Sequence, residues 1–99
     1  MKNGPRQTML CVRTCSFCRG GNVGVRVAAS GEVVGLCDEC ESVWMDRELL
    51  DGPYDLEDPG LPCPGGGASL VEAPSHWATR AEAAAAGWDA GMLKETLAL

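Results

Sequence analysis

The chain concentrates its reactive side chains in one pattern: Cys15-x2-Cys18, eighteen intervening residues, then Cys37-x2-Cys40. Paired cysteines at this spacing can hold a metal ion, form disulfides, or carry out thiol–disulfide exchange. Two residues between cysteines let both sulfurs point at one ion, and four thiolates suit tetrahedral zinc. Exchange chemistry of the thioredoxin kind needs one pair in a βαβ setting, whereas here two pairs flank a strand-rich insert. Disulfides depend on compartment. The opening stretch "MKNGPRQTMLCVRTC" has only Met9 to Val12 as an apolar run, short of the roughly 7–15 residues of a secretory leader. No stretch approaches the ~20 apolar residues of a membrane span. A cytoplasmic location is therefore expected, where thiols stay reduced and the metal reading is favoured over disulfides.

The elements that must position these sulfurs follow from periodicity. In "VGVRVAA", Val23, Val25 and Val27 fall on one face at period two, the pattern of a half-buried strand. "EVVGL" at 32–36 is a second β-prone run, and Ser30-Gly31 between them supplies turn chemistry. The spacing thus predicts a β-hairpin whose ends carry Cys18 and Cys37. "SVWM" at 42–45 fits either a third strand or the start of a short helix. Residues 51–67, "DGPYDLEDPGLPCPGGG", hold four of the six prolines and read as a loop or tether. Residues 68–99 are helical in character. Thr79 and Glu82 fit a capping box, Ala83 to Ala86 favour helix, and Gly87 is a stop. Asp89 to Leu97 suggests another helical turn or two, with Leu93 and Leu97 on one side. The expected fold is α+β: a zinc ribbon over 8–50, an acidic Pro/Gly-rich tether over 51–67, and a helical C-terminal segment over 68–99 packed on the ribbon.

Two knuckles, "CSFCRG" and "CDECESVW", around a short antiparallel hairpin resemble the zinc-ribbon class over about residues 12 to 45. The second knuckle after a hairpin also looks like small freestanding bacterial zinc-ribbon proteins of unassigned role. The resemblance implies one Zn2+ per chain held by Cys15, Cys18, Cys37 and Cys40. It implies an architecture rather than a function, because many functions share it. A closed four-thiolate site leaves no position for water or substrate, so such an ion would be structural. That suits a 99-residue chain with one Phe, one Tyr, three Trp and no Ile, whose core must be built from smaller side chains. Rubredoxin, whose four cysteines hold iron, usually places Gly after the second cysteine of each knuckle. Arg19 and Glu41 stand there in this chain.

The remaining candidates carry less. Cys11, in "TMLCV", reads as a small buried hydrophobe that could also swap in as a ligand. Cys63 lies between two prolines, and His76 has no second ligand at metal spacing. Trp44 is expected to cover the metal site, while Trp77 and Trp88 fix the C-terminal helix against the ribbon. No catalytic constellation is present: "PGGGAS" lacks the Lys of a phosphate loop, and one histidine builds no triad. The chain is therefore expected not to be an enzyme.

Charge directs the choice of partner. Residues 1–31 hold five basic residues and no acid, whereas 32–72 hold eleven acids against Arg47 alone. The formal net charge is −6, and four thiolates with one Zn2+ would make it more negative. Phosphate binding needs Lys and Arg to displace counterions, so an acidic chain is a poor nucleic-acid binder. The expectation is a protein-binding module engaging a basic partner through Asp46, Tyr54, Asp55, Glu57 and Asp58. A regulatory or toxin-neutralising, immunity-type role fits a small acidic chain of this kind. The alternative is a transcription-related ribbon that binds nucleic acid through Arg13, Arg19 and Arg26.

Overall fold

A computed structural model describes residues 8–49, 52–54, 69–71 and 74–97. The central hairpin forms as the valine periodicity requires, with β2 at Asn22–Val27 and β3 at Val33–Cys37. Their antiparallel register sets Val23 opposite Cys37 and Val27 opposite Val33. The turn closes through Ala28 and Glu32, with Gly31 at a φ of 99° that only glycine adopts without cost. Of the two options for "SVWM", the strand prevails: β4, Val43–Trp44, pairs with β3.

Three further strands were not anticipated. β1, Thr8–Thr14, pairs with β2, and a bulge between Cys11 and Arg13 bends it. β5, His76–Trp77, pairs with the far half of β2. β6, Lys94–Leu97, pairs with β1 along Thr8 to Cys11. The sheet order is β4-β3-β2-β1-β6, with β5 on β2. The expected helical character of residues 68–99 is met over one short helix, α1 at Arg80–Ala85, and a single 3-10 turn at Ala90–Met92. The helix expected across Asp89 to Leu97 is corrected here. Its last four residues are strand, because β1 offers them an edge of unpaired backbone groups that local helix propensity cannot match.

Where the helix does form, its signals act as expected. Thr79 Oγ1 accepts from the Glu82 N–H at 3.1 Å, and the Glu82 carboxylate accepts from the Thr79 N–H at 2.8 Å. Gly87, at a φ of 84°, ends it.

The sheet is buried on both faces. Val23, Val25 and Val27 join Leu10, Trp44, Leu49, Ala83 and Trp88 in one cluster, which also contains Cys15 and Cys37. Ala28, Val34, Leu36, Val43 and Leu70 form the other. Gly35 lets Val23 and Leu49 pack closely on β3, since a Cβ there would stand 3.1 Å from Val23 Cγ1 and 3.3 Å from Leu49 Cδ2. Truncating Trp44 or Trp88, both nearly inaccessible, would cost on the order of 3–5 kcal/mol. The half-buried β2 of the sequence reading is thus buried on both faces from Val23 to Val27, because residues 69–71 and 74–77 cover its second face. Arg26 shows how. Its guanidinium donates to the Leu70 carbonyl at 2.8 Å and lies 4.7 Å from the centre of the Trp77 ring. Among the described residues, no helix is long and apolar enough to cross a membrane.

Candidate metal centre

The hairpin register brings the two cysteine pairs together from opposite sides. The Sγ atoms of Cys15, Cys18, Cys37 and Cys40 all lie within 4.8 Å of one another. Cys15 to Cys40 and Cys18 to Cys37 are each 3.7 Å apart. Four sulfurs at about 2.3 Å from one central ion would stand about 3.8 Å apart, so the set fits a tetrahedral cation. Sulfurs in a disulfide would be about 2.05 Å apart, and these cysteines are free. The group could therefore hold a metal ion, consistent with zinc and with a zinc-ribbon-like site.

Backbone geometry supports the sulfurs as acceptors. Cys15 Sγ accepts from the Cys18 N–H, and Cys37 Sγ from the N–H groups of Glu39 and Cys40, each at 3.4 Å. Ser42 Oγ lies 3.3 Å from Cys40 Sγ, where its hydroxyl can donate to a thiolate. The N–H groups of Gly20 and Gly21 hold the pKa of the half-buried Cys18 thiol down to about 7, so it reaches the thiolate form near neutral pH. Burial pushes Cys37 and Cys40 the other way. A cation at the centre would offset that penalty, which is how metal binding couples to the folding of such a site.

The knuckles also pack on each other. Asp38 Oδ1 accepts from the Asn22 N–H at 2.9 Å, tying the second knuckle to the strand leaving the first. Glu39 lies over Gly20 and Gly21: a Cβ at Gly21 would meet Glu39 Cβ at 2.7 Å, with Asp38 Oδ1 and Cys37 Sγ each at 2.8 Å. Trp44 is buried in the cluster that includes Cys15 and Cys37, with Cys18 and Cys40 packed against it.

The other candidates separate. Cys11 is half-buried on β1, opposite Gly24 and Lys94, and outside the four-sulfur group. Its thiol is pushed up by burial and then by the charge of Asp38. Arg13 and Arg19 are exposed, but Arg26 is buried, so the three arginines do not form one basic face. Asp46 is half-buried in the turn after β4, and Tyr54 exchanges backbone hydrogen bonds with Val43. Asp55, Glu57, Asp58 and Cys63 lie outside the described residues.

His76 is engaged with protein groups. Its Nε2 is 2.8 Å from Glu82 Oε2, and its Nδ1 faces the Pro74 carbonyl at 2.8 Å. The Pro74 carbonyl and then Glu82 hold the imidazole pKa up. Sequence reasoning missed this pair because the partners sit six residues apart, across the junction between β5 and α1. It missed the burial of Arg26 for a related reason: alternation in "VGVRV" marks Arg26 as solvent-facing, and only a remote segment covers it. No family model matches the chain, and neither does any curated protein or solved structure.

Proposed function

We propose that this chain is a non-enzymatic, zinc-stabilised module that binds a basic protein partner through an acidic surface. Cys15, Cys18, Cys37 and Cys40 would hold one Zn2+, which supplies a cross-link between the two knuckles and no substrate position. The observation that carries the reading is the charge left for a partner to meet. Arg26 is buried under Trp77 and bonded to Leu70, while Glu39 and Glu41 are exposed at the second knuckle. An acidic surface of this kind speeds encounter with a basic protein and repels phosphate backbones. Regulation or neutralisation of a basic toxin are the roles that best suit it.

The test is capture from the native source by the zinc-loaded chain, compared with a variant in which Asp55, Glu57 and Asp58 are replaced by Lys. The expected result is a basic protein held by the wild type and lost from the variant, with association slowing as salt rises. Tight, salt-sensitive binding of DNA or RNA by the wild type would overturn the proposal, above all if lost on replacing Arg13 and Arg19.

A further inference from the structure

Three hollows line one side of the helix-bearing face. The first, of about 370 Å3, lies between the β2–β3 turn and α1, with Val27, Val33 and Ala86 in its wall. The second, of about 500 Å3, shares Gly31, Val33 and Ala86 with it and continues past Met45 to Trp88. The third, of about 280 Å3, shares Arg47, Glu48 and Trp88 with the second and ends at Leu93 and Met92. They therefore adjoin along this face as one open channel of mixed lining, in which Val27, Val33, Met45 and Leu93 supply the apolar part. Met92, at its end, is 82% exposed.

The charged rim is mostly acidic. Glu82 borders the first hollow, Asp46 and Glu48 the second, and Asp89 the third. Among the described lining residues the one cation is Arg47, and it is already held. It donates to Glu48 at 2.8 Å, to the Gly87 carbonyl, and sits 3.4 Å from Asp89.

Apolar patches beside a mostly acidic rim select a particular occupant. The chain's own tether is a poor one, because Asp55, Glu57 and Asp58 carry the same sign as the rim. A nucleic-acid backbone is disfavoured for the same reason. We propose that this channel receives a protein segment in which arginine or lysine alternates with aliphatic residues. The aliphatic side chains cover Val33, Met45 and Leu93, and the cations meet Asp46 and Glu48. This deepens the acidic protein-binding role proposed above and rests on it.

The test uses the full zinc-loaded chain, 15N-labelled, titrated with a short peptide alternating arginine and leucine. The expected result is amide shifts at Gly31, Val33, Ala86 and Gly87, with little change at residues 15–19. Replacing Asp46 and Glu48 by Lys should weaken binding about tenfold at 0.1 M salt, with zinc content and the remaining spectrum unchanged. Equal binding of an arginine–glycine peptide, shifts confined to the first knuckle, or no shift at millimolar peptide would each overturn the proposal. If the native partner is lost from the Asp55, Glu57 and Asp58 variant but kept by the Asp46 and Glu48 variant, the channel is refuted and the broader acidic role stands.

Discussion

At the first knuckle the residue after the second cysteine is Arg19, with a φ of 62°; at the second it is Glu41, with a φ of 63°. Both knuckles close by a backbone bond from that residue to the carbonyl of the first cysteine, at 3.0 and 3.2 Å. In both, the first cysteine is buried and the second half-buried. The outward side chains, however, have little in common. Ser16, Phe17 and Arg19 decorate the first tip, where Phe17 is 60% exposed, and Asp38, Glu39 and Glu41 decorate the second. Bringing four sulfurs to one centre imposes the backbone of each knuckle, down to a left-handed residue that glycine would fit better. It leaves the tips free to differ. Architecture is set by the sulfurs, and surface character by what surrounds them.

The largest effect expected is one that abolishes the equivalence altogether. Chelation of bound zinc should remove a contribution on the order of 10–16 kcal/mol, comparable to the whole stability of a small domain. Circular dichroism should show cooperative loss of strand signal. Cys15→Ser and Cys37→Ser should each lose zinc, while Cys11→Ser keeps it. A metal-free chain with unchanged spectrum and melting temperature would show that the sulfurs do not hold the knuckles.

A smaller perturbation tests the contact between the knuckles. Gly21→Ala drives a methyl against Glu39 Cβ and Cys37 Sγ, neither of which can swing away, and should cost ~1–3 kcal/mol in zinc-loaded urea denaturation. Gly20→Ala meets Glu39 chiefly at Oε1, the mobile end of the side chain, and should cost much less. Equal costs would mean that the knuckles do not lean on each other through Gly21. Smaller again, Arg19→Gly and Glu41→Gly should each stabilise by about 1 kcal/mol or less, by relieving the left-handed backbone. The two gains should match, since the two φ values do. A clear inequality would assign one of these side chains a structural role.

The knuckles and hairpin were legible because their signals are local: cysteine spacing, alternating valines and a Ser-Gly turn lie within one stretch of chain. The capping box at Thr79 and Glu82 was legible for the same reason. β1, β5 and β6 were not. "KETL" has no strand signature of its own and becomes strand only because Thr8 to Cys11 lies beside it. Leu93 and Leu97 share a helical spacing, and tertiary pairing overrides it. The same blindness placed Arg26 on a basic surface. At the candidate site the four ligating positions could be read from spacing, whereas Ser42 beside Cys40 and the Asp38 tie to Asn22 depend on how the knuckles meet.

The weakest effect distinguishes the metal centre from the helix by the sign of its pH dependence. Protons compete with the ion for thiolates, so the knuckles should lose stability as pH falls. The His76–Glu82 pair acts in the opposite direction above neutrality. The pKa of His76 is raised from 6.5, so its contribution is fully present below 6.5 and lost as pH rises through the raised value. That of Glu82 is lowered from 4.5, by the Thr79 N–H first and His76 second, so its contribution is present above 4.5 and lost only as pH falls through the lowered value. The pair should therefore stabilise most between these two limits. Both side chains are well exposed, at 45% and 38%, which keeps the effect within ~0.2–1 kcal/mol. Subtracting the melting curves of His76→Gln from those of the zinc-loaded wild type between about pH 6 and about pH 9 cancels the thiolate contribution common to both. The wild type should melt higher at the acid end of that range, and the difference should close as the imidazole loses its proton. A difference that grew with pH would mean that neutral His76 makes the stabilising contact, and the two ends of the sheet would then respond to pH in the same direction.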